Sequence, residues 1–237
     1  PATALSIAVI HTVFKLIALA MLMPFTNQLE KLACLTVRDS EEKEKDELLD
    51  ERLLITPPVA IQRSKDVEKQ MAVEAGDTLY AAFDMIHGGY TQTAGQKVRE
   101  GEAHGDMYED KLGTYLVKIS GCSLSDHDSL EVSKLLHIIG DLERLSDHAV
   151  NIAESMEEMH DKELHFSDTA KKELETICNA EREIIHLTVS ALAEDNIENA
   201  SLVEPLEQVV DSLKARIKTR HIERLQKNEC TIELGFV

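Results

Sequence analysis

Two stretches of this chain align without a gap at an offset of 105 residues, and that repeat restricts the fold more than any other feature. Between residues 98–120 and 203–225, Val98 falls on Val203, Glu102 on Glu207, Asp106 on Asp211, Leu112 on Ile217 and Thr114 on Thr219. In both stretches the apolar residues recur at helical spacing, and the Glu-x-x-x-Asp pair borders the apolar stripe on the same side. A fixed period with matched chemistry marks a duplicated unit. A period this long makes the unit a group of helices, not one turn of a short-repeat solenoid.

The remaining pattern is helical almost throughout, with no alternating strand of useful length. Pro57-Pro58 stop any preceding helix and can start the next, which should run over residues 59–86 to the breaker His87-Gly88-Gly89. A second helix is expected over 93–119, ending near Gly121, and a third over 125–159 with Ser125 or Asp126 as its cap. Ser167 should open a fourth helix that ends near Glu194. Asp195 or Asn196 should open a fifth that fades at 226–228, with Pro205 either in its first turn or at a kink. Short connections between long helices make antiparallel neighbours. The fold class read here is all-α: a three-helix bundle over 57–162, then a second over 163–237. The third helix of that second unit would be incomplete, because adding the offset to Asp147 points beyond Val237.

The segment Asp141-Leu-Glu-Arg-Leu-Ser-Asp-His-Ala-Val-Asn-Ile-Ala-Glu154 carries the clearest chemistry. On a helix, Glu143, Asp147 and Glu154 fall within an arc of ~40°. They lie beside a separate apolar stripe of Leu135, Leu142, Ala149, Ala153 and Met156. Carboxylates at the edge of a buried face are costly unless something positive neutralises them. Residues 98–120 add Glu102, Asp106, Glu109 and Asp110 on nearly one face, and the repeat adds Glu207 and Asp211. Acids four apart are also common on solvated helices. Their recurrence beside the core stripe favours a metal site, and oxygen donors suit hard or borderline cations such as magnesium, calcium, manganese or iron.

Net charge is −19, from 25 Lys+Arg against 44 Asp+Glu, which disfavours nucleic acid and anionic membrane surfaces as partners of the soluble part. Cys34, Cys122, Cys178 and Cys230 form no Cys-x-x-Cys pair and read as small apolar residues in a reducing compartment. No nucleophile–base pair, glycine-rich phosphate loop or thiol site stands out, so an enzyme is not expected. Arg144 and His148 project away from the acids, where a solvated face is the first reading and an anion or partner site the second.

Residues 2–25 are apolar apart from Thr3, Ser6, His11, Thr12 and Lys15, and are broken by Pro24. That run is long enough to span a bilayer. His11 and Lys15 lie four apart on one face, as polar groups facing a bundle interior or cavity would. A span over 1–27 with a charge-rich linker over 28–56 reads as the last helix of a membrane domain entering a helical domain.

The run Leu142-Glu-Arg-Leu-Ser-Asp-His-Ala-Val-Asn-Ile-Ala-Glu154 resembles the signature of PhoU domains. Ala8-Val-Ile-His-Thr-Val-Phe-Lys-Leu16 and Leu22-Met-Pro-Phe25 resemble the last membrane helix of bacterial sodium/phosphate cotransporters that carry a C-terminal PhoU-like domain. Leu49-Asp-Glu-Arg-Leu-Leu-Ile-Thr-Pro57 and Arg220-His-Ile-Glu-Arg-Leu225 look like that family as well. Lys15 departs from it, standing where the family usually has Asn. The resemblance implies tandem three-helix bundles with acidic motifs that hold multinuclear metal clusters of iron, manganese, magnesium or another divalent ion. Glu102, Asp106, Glu143 and Asp147 would serve one cluster, and Glu207 and Asp211 a second. It further implies a sodium-dependent phosphate transporter of the bacterial inner membrane, with this domain cytoplasmic and regulatory. Sodium and inorganic phosphate would act through an upstream membrane domain, and a homodimer is a partner arrangement to test.

The nearest alternative is a stand-alone PhoU-type regulator of phosphate transport. A ferritin-like carboxylate enzyme rests on Glu157-x-x-His160 and Glu183-x-x-His186, although His186 lies ~120° from the stripe of its own helix. An all-helical adaptor would make the acids a solvated face only.

Overall fold

The computed structural model describes residues 11–16, 21, 23, 49–227 and 229. Contacts divide the chain into two parts, Pro1–Leu48 and Leu49–Val237. In the N-terminal part residues 11–16 are helical, and His11 and Lys15 lie exposed within that stretch. The rest of the apolar run at 2–25 lies almost wholly outside the described residues, as does the linker up to residue 48. Among the described residues, no helix is long and apolar enough to cross a membrane.

The C-terminal part opens on a 3-10 turn, Glu51–Ile55, followed by five helices: α1 (Pro57–Gly88), α2 (Gln92–Ser120), α3 (Asp126–Asp161), α4 (Asp168–Glu194) and α5 (Ile197–Gln226). Their starts follow from local chemistry. Thr91, Ser125 and Ser167 each accept from the backbone N–H three residues on, and Asn196 accepts from Glu198 and Asn199. Pro57 and Pro58 occupy the first turn of α1, where missing N–H groups leave nothing unmet. Gly89, at φ 82°, ends α1, and Asp195, at φ 53°, ends α4 in the left-handed conformation. Pro205 is not in the first turn of α5 but well inside it.

The helices obey the repeat. Shifted by the 105-residue offset, the bounds of α2 fall on Ile197 and Leu225, almost the bounds of α5. α1 packs against α2, α3 and α4; α2 packs against α3; α4 packs against α5. α1–α3 form a closed three-helix bundle, and the α4–α5 hairpin docks on α1 through α4. The core lies in the first bundle, where Val67, Met71, Val98, Leu112, Leu116 and Ile119 are almost wholly buried. The repeat counterparts Val203 and Ile217 are only half-buried, because no described helix covers α5 as α3 covers α2.

α1 and α2 pack closely at Gly101. A Cβ there would stand 2.2 Å from Thr78 Oγ1, 2.8 Å from its Cγ2 and 3.0 Å from its Cβ. Thr78 is held in place by donating from Oγ1 to the Glu74 carbonyl at 2.7 Å. Helix propensity favours alanine over glycine by about 1 kcal/mol. Overpacking costs about 1–3 kcal/mol. We therefore expect Gly101→Ala to lower stability by about 1 kcal/mol in urea unfolding, and Thr78→Ala in the same background to recover it. A gain in stability from Gly101→Ala alone would contradict this packing.

An acidic ridge across two helices

Glu102, Asp106, Glu109 and Asp110 stand on α2; Glu143, Asp147 and Glu154 stand on α3. The two helices run antiparallel and meet at Gly105 and Ser146, where a Cβ on Gly105 would lie 3.1 Å from Ser146 Oγ. A glycine opposite a serine lets the backbones close up, and the flanking acids of each helix are drawn into one ridge. Ser146 Oγ is buried within that seam and has no hydrogen-bond partner.

The ridge behaves as one electrostatic group. Burial raises the Glu102 carboxyl above its ordinary value, and the charges of Asp106 and Asp147 raise it further. Glu143 is raised first by burial and then by Asp147, Glu109 and Asp106, with Arg144 pulling the other way. Of the residues expected from sequence, Asp106, Glu109 and Asp147 thus lie near enough for their charges to act on Glu102 or Glu143. Asp110 and Glu154 are exposed and do not act on these two carboxyls. Among the described residues, no group of three or more His, Cys, Asp or Glu side chains stands close enough to hold a metal ion. The donor set has the chemistry of a hard-cation site, but its carboxylates are splayed along the ridge.

The second acidic pair behaves differently. Glu207 and Asp211 are exposed on α5. Lys214 takes the place that Glu109 holds in the first unit, so a cation interrupts this ridge. Asp211 and Lys214 act in opposite directions on Glu181 of α4, whose carboxyl is raised mainly by burial.

Other residues weighed from sequence have local partners. Glu157 accepts from Tyr90 Oη at 2.6 Å and pairs with Arg99, while the Tyr90 ring packs 5.7 Å from that of His160. Glu157-x-x-His160 therefore clamps the turn between α1 and α2 to the end of α3 and is not an open ligand pair. Glu183 and His186 are both exposed. Arg144 approaches Asp141 at 3.8 Å. His148 stands at the lip of an apolar groove of about 380 Å³ between α3 and α4, with Phe83, Leu145, Ile152 and Ile184 among its walls.

Two buried carboxylates escaped the sequence reading. Glu68 is 4% exposed in the α1 core, and its Oε1 has no partner. Glu173, near the start of α4, is 8% exposed and accepts from Arg220 and Arg224 of α5. A signal was available. Glu68 continues the buried row of Ala60, Ser64, Ala72, Ala75 and Leu79 at helical spacing, so it had to point inward.

No curated protein and no solved structure matches the chain. A family model does match, and it spans the two segments that build the ridge: residues 69–156 are similar to the PhoU domain, the matched stretch running from within α1 through α2 to near the end of α3.

Proposed function

We propose that this chain is a PhoU-type regulator of phosphate transport, and that its α2–α3 ridge takes up a divalent cation. The observation carrying the reading is that the PhoU match at 69–156 encloses every acid that meets on the ridge. Glu102, Asp106, Glu143 and Asp147 would hold the ion, with Glu109 at the flank. Glu207 and Asp211 would contribute to a second site. The ion, once bound, would turn an anionic face into one able to meet phosphate or an acidic partner. The ridge residues supply the charge that draws the ion in, and a bound cation would oppose the upward shift that burial and like charges impose on the Glu102 and Glu143 carboxyls.

Elemental analysis and calorimetric titration with manganese, magnesium and ferrous ions test this. The protein should bind a divalent ion that a Glu143→Ala/Asp147→Ala variant loses. Affinity should fall by more than about 100-fold, beyond what loss of an outer partner of a ligand costs. Without metal the variant should melt at a higher temperature than the parent, since it lacks a carboxyl that burial first and then like charges lift. Equal metal content in both proteins would sink the cation reading. A variant that melts lower without metal would mean these acids support the fold.

The apolar run at residues 2–25 favours a second reading, in which this regulator is attached to a sodium/phosphate cotransporter at a bacterial inner membrane. Phosphate state would then alter docking of the bundle on the transporter. Removing residues 57–237 from such a transporter, with phosphate uptake unchanged, would exclude it.

A further inference from the structure

A serine buried inside a helix ordinarily satisfies its hydroxyl on the carbonyl four residues back, and threonine does the same. Ser64, fully buried, donates in this way to the Ala60 carbonyl at 2.9 Å, and Thr78 to the Glu74 carbonyl at 2.7 Å. Ser146 breaks the habit. It is 1% exposed, yet its Oγ does not take the Leu142 carbonyl and has no partner among the described residues. The hydroxyl looks across the seam to α2, 3.1 Å from the place a Cβ on Gly105 would occupy. A buried hydroxyl left unpaired is costly, and alanine would fill the same seam without that cost.

The acids around this hydroxyl are laid out symmetrically. Glu102-Ala-His-Gly105-Asp106 on α2 and Glu143-Arg-Leu-Ser146-Asp147 on α3 share one pattern, in which a small residue precedes the second acid. The helices run antiparallel and meet at the two small residues, so the acids of one face those of the other end for end. Asp147 acts on Glu102, and Asp106 and Glu109 act on Glu143. Glu102 and Glu143 are half-buried while Asp106 and Asp147 are exposed, so the glutamates lie deeper and nearer the level of the hydroxyl. On α5 the repeat reads Glu207-Gln-Val-Val210-Asp211, with a buried valine in the place of Gly105. We propose, resting on the cation reading above, that Ser146 is a positioning residue of the ridge: once its carboxylates gather on a divalent ion, the Ser146 hydroxyl donates across the seam to the Glu102 carboxylate and fixes it there. An ionised carboxylate has lone pairs to spare beyond those turned to a cation, and a hydrogen bond to it is stronger than one between neutral groups. Because this bond forms only in the loaded ridge, it contributes to affinity and not to the stability of the free protein.

Calorimetric titration of the full chain with manganese, magnesium and ferrous ions, beside urea unfolding without metal, tests the proposal. Ser146→Ala should bind the ion about 10-fold more weakly, the low end of what loss of an outer partner of a ligand costs. In metal-free buffer it should unfold at a urea concentration no lower than the parent, because the hydroxyl removed had no bond to lose. A residue that merely packed the seam would show the reverse: lower stability and unchanged affinity. Ser64→Ala, whose hydroxyl is already bonded within α1, should leave affinity unchanged. A parent that binds the ion beside a Ser146→Ala variant that binds it equally well would overturn the Ser146 role and leave the cation reading standing. A lower urea midpoint for Ser146→Ala without metal, or an equal loss of affinity in Ser64→Ala, would overturn it as well. A parent that takes up none of the three ions would overturn the cation reading and the Ser146 role together.

Discussion

Glu68→Met should raise stability by about 3 kcal/mol more at pH 8 than at pH 4.5. The Glu68 carboxyl sits in the core of α1, where burial pushes its pKa up from 4.5 to about 7. The two lysines beside it work against that shift, but each is bonded elsewhere: Lys65 donates to Glu131 of α3, and Lys69 donates to Asp195 at the end of α4. Asp195 adds a like charge that raises the carboxyl further. The sign follows from proton counting. Between pH 4.5 and 7 the unfolded chain has released this proton and the folded chain still holds it, so stability falls as pH rises through that window and levels off above it. Each pKa unit is worth about 1.4 kcal/mol, which gives the expected size. Methionine keeps the volume and flexibility of the side chain and removes the charge. Urea midpoints for parent and variant at pH 4.5, 6 and 8 measure the difference, in which titrations common to both cancel. Parallel pH profiles would mean that Glu68 is not a proton-holding group. Glu68→Gln separates charge from burial, since it should flatten the profile as methionine does but gain less, because a buried polar end remains.

The helices were legible in the sequence because their signals are local. Caps at Ser125, Ser167 and Asn196, the Pro57-Pro58 start and the Gly88-Gly89 stop each act within a turn of the residue that carries them. The acids of the ridge were legible one helix at a time. Which of them meet was not, because that depends on the close approach at Gly105 and Ser146, and no spacing within one helix encodes it. Glu154 shows the difference: it shares the arc of Glu143 and Asp147 on α3, yet acts on neither Glu102 nor Glu143. Lys214 was legible in the alignment that revealed the repeat, but attention to the shared Glu and Asp passed over the residue that breaks the second ridge.

Glu173→Ala should open the α4–α5 hairpin while leaving the first bundle folded. Glu173 is the repeat counterpart of Glu68, and the two carboxylates have met opposite solutions. In the second unit Glu173 Oε1 accepts from Arg220 Nη1 at 3.0 Å and Oε2 from Arg224 Nη1 at 2.8 Å. The first unit has Tyr115 and Ile119 where those arginines stand, so Glu68 has no such cation to neutralise it. Removing the carboxylate leaves Arg224, whose side chain is 12% exposed, as an uncompensated buried charge with its Nε already unpartnered. Breaking a buried pair from one side costs about 3–5 kcal/mol. Arg220 is half exposed and can turn to water, which places this case at the lower end, about 3 kcal/mol. The hairpin has little else to hold it, since α5 buries only Val210 and α4 only Glu173, Cys178 and Ile185. The loss should therefore appear locally. Amides of α5 and of the first turns of α4 should lose hydrogen-exchange protection while those around Val98, Leu112 and Leu135 keep theirs. The control is the double variant Glu173→Leu/Arg224→Met, which removes both charges and should recover most of the protection, because two apolar residues can replace a buried pair at little cost. Uniform loss of protection across all five helices would mean that hairpin and bundle unfold as one. An unaffected α5 would mean that the α4–α5 contact rests on its apolar residues and not on this carboxylate.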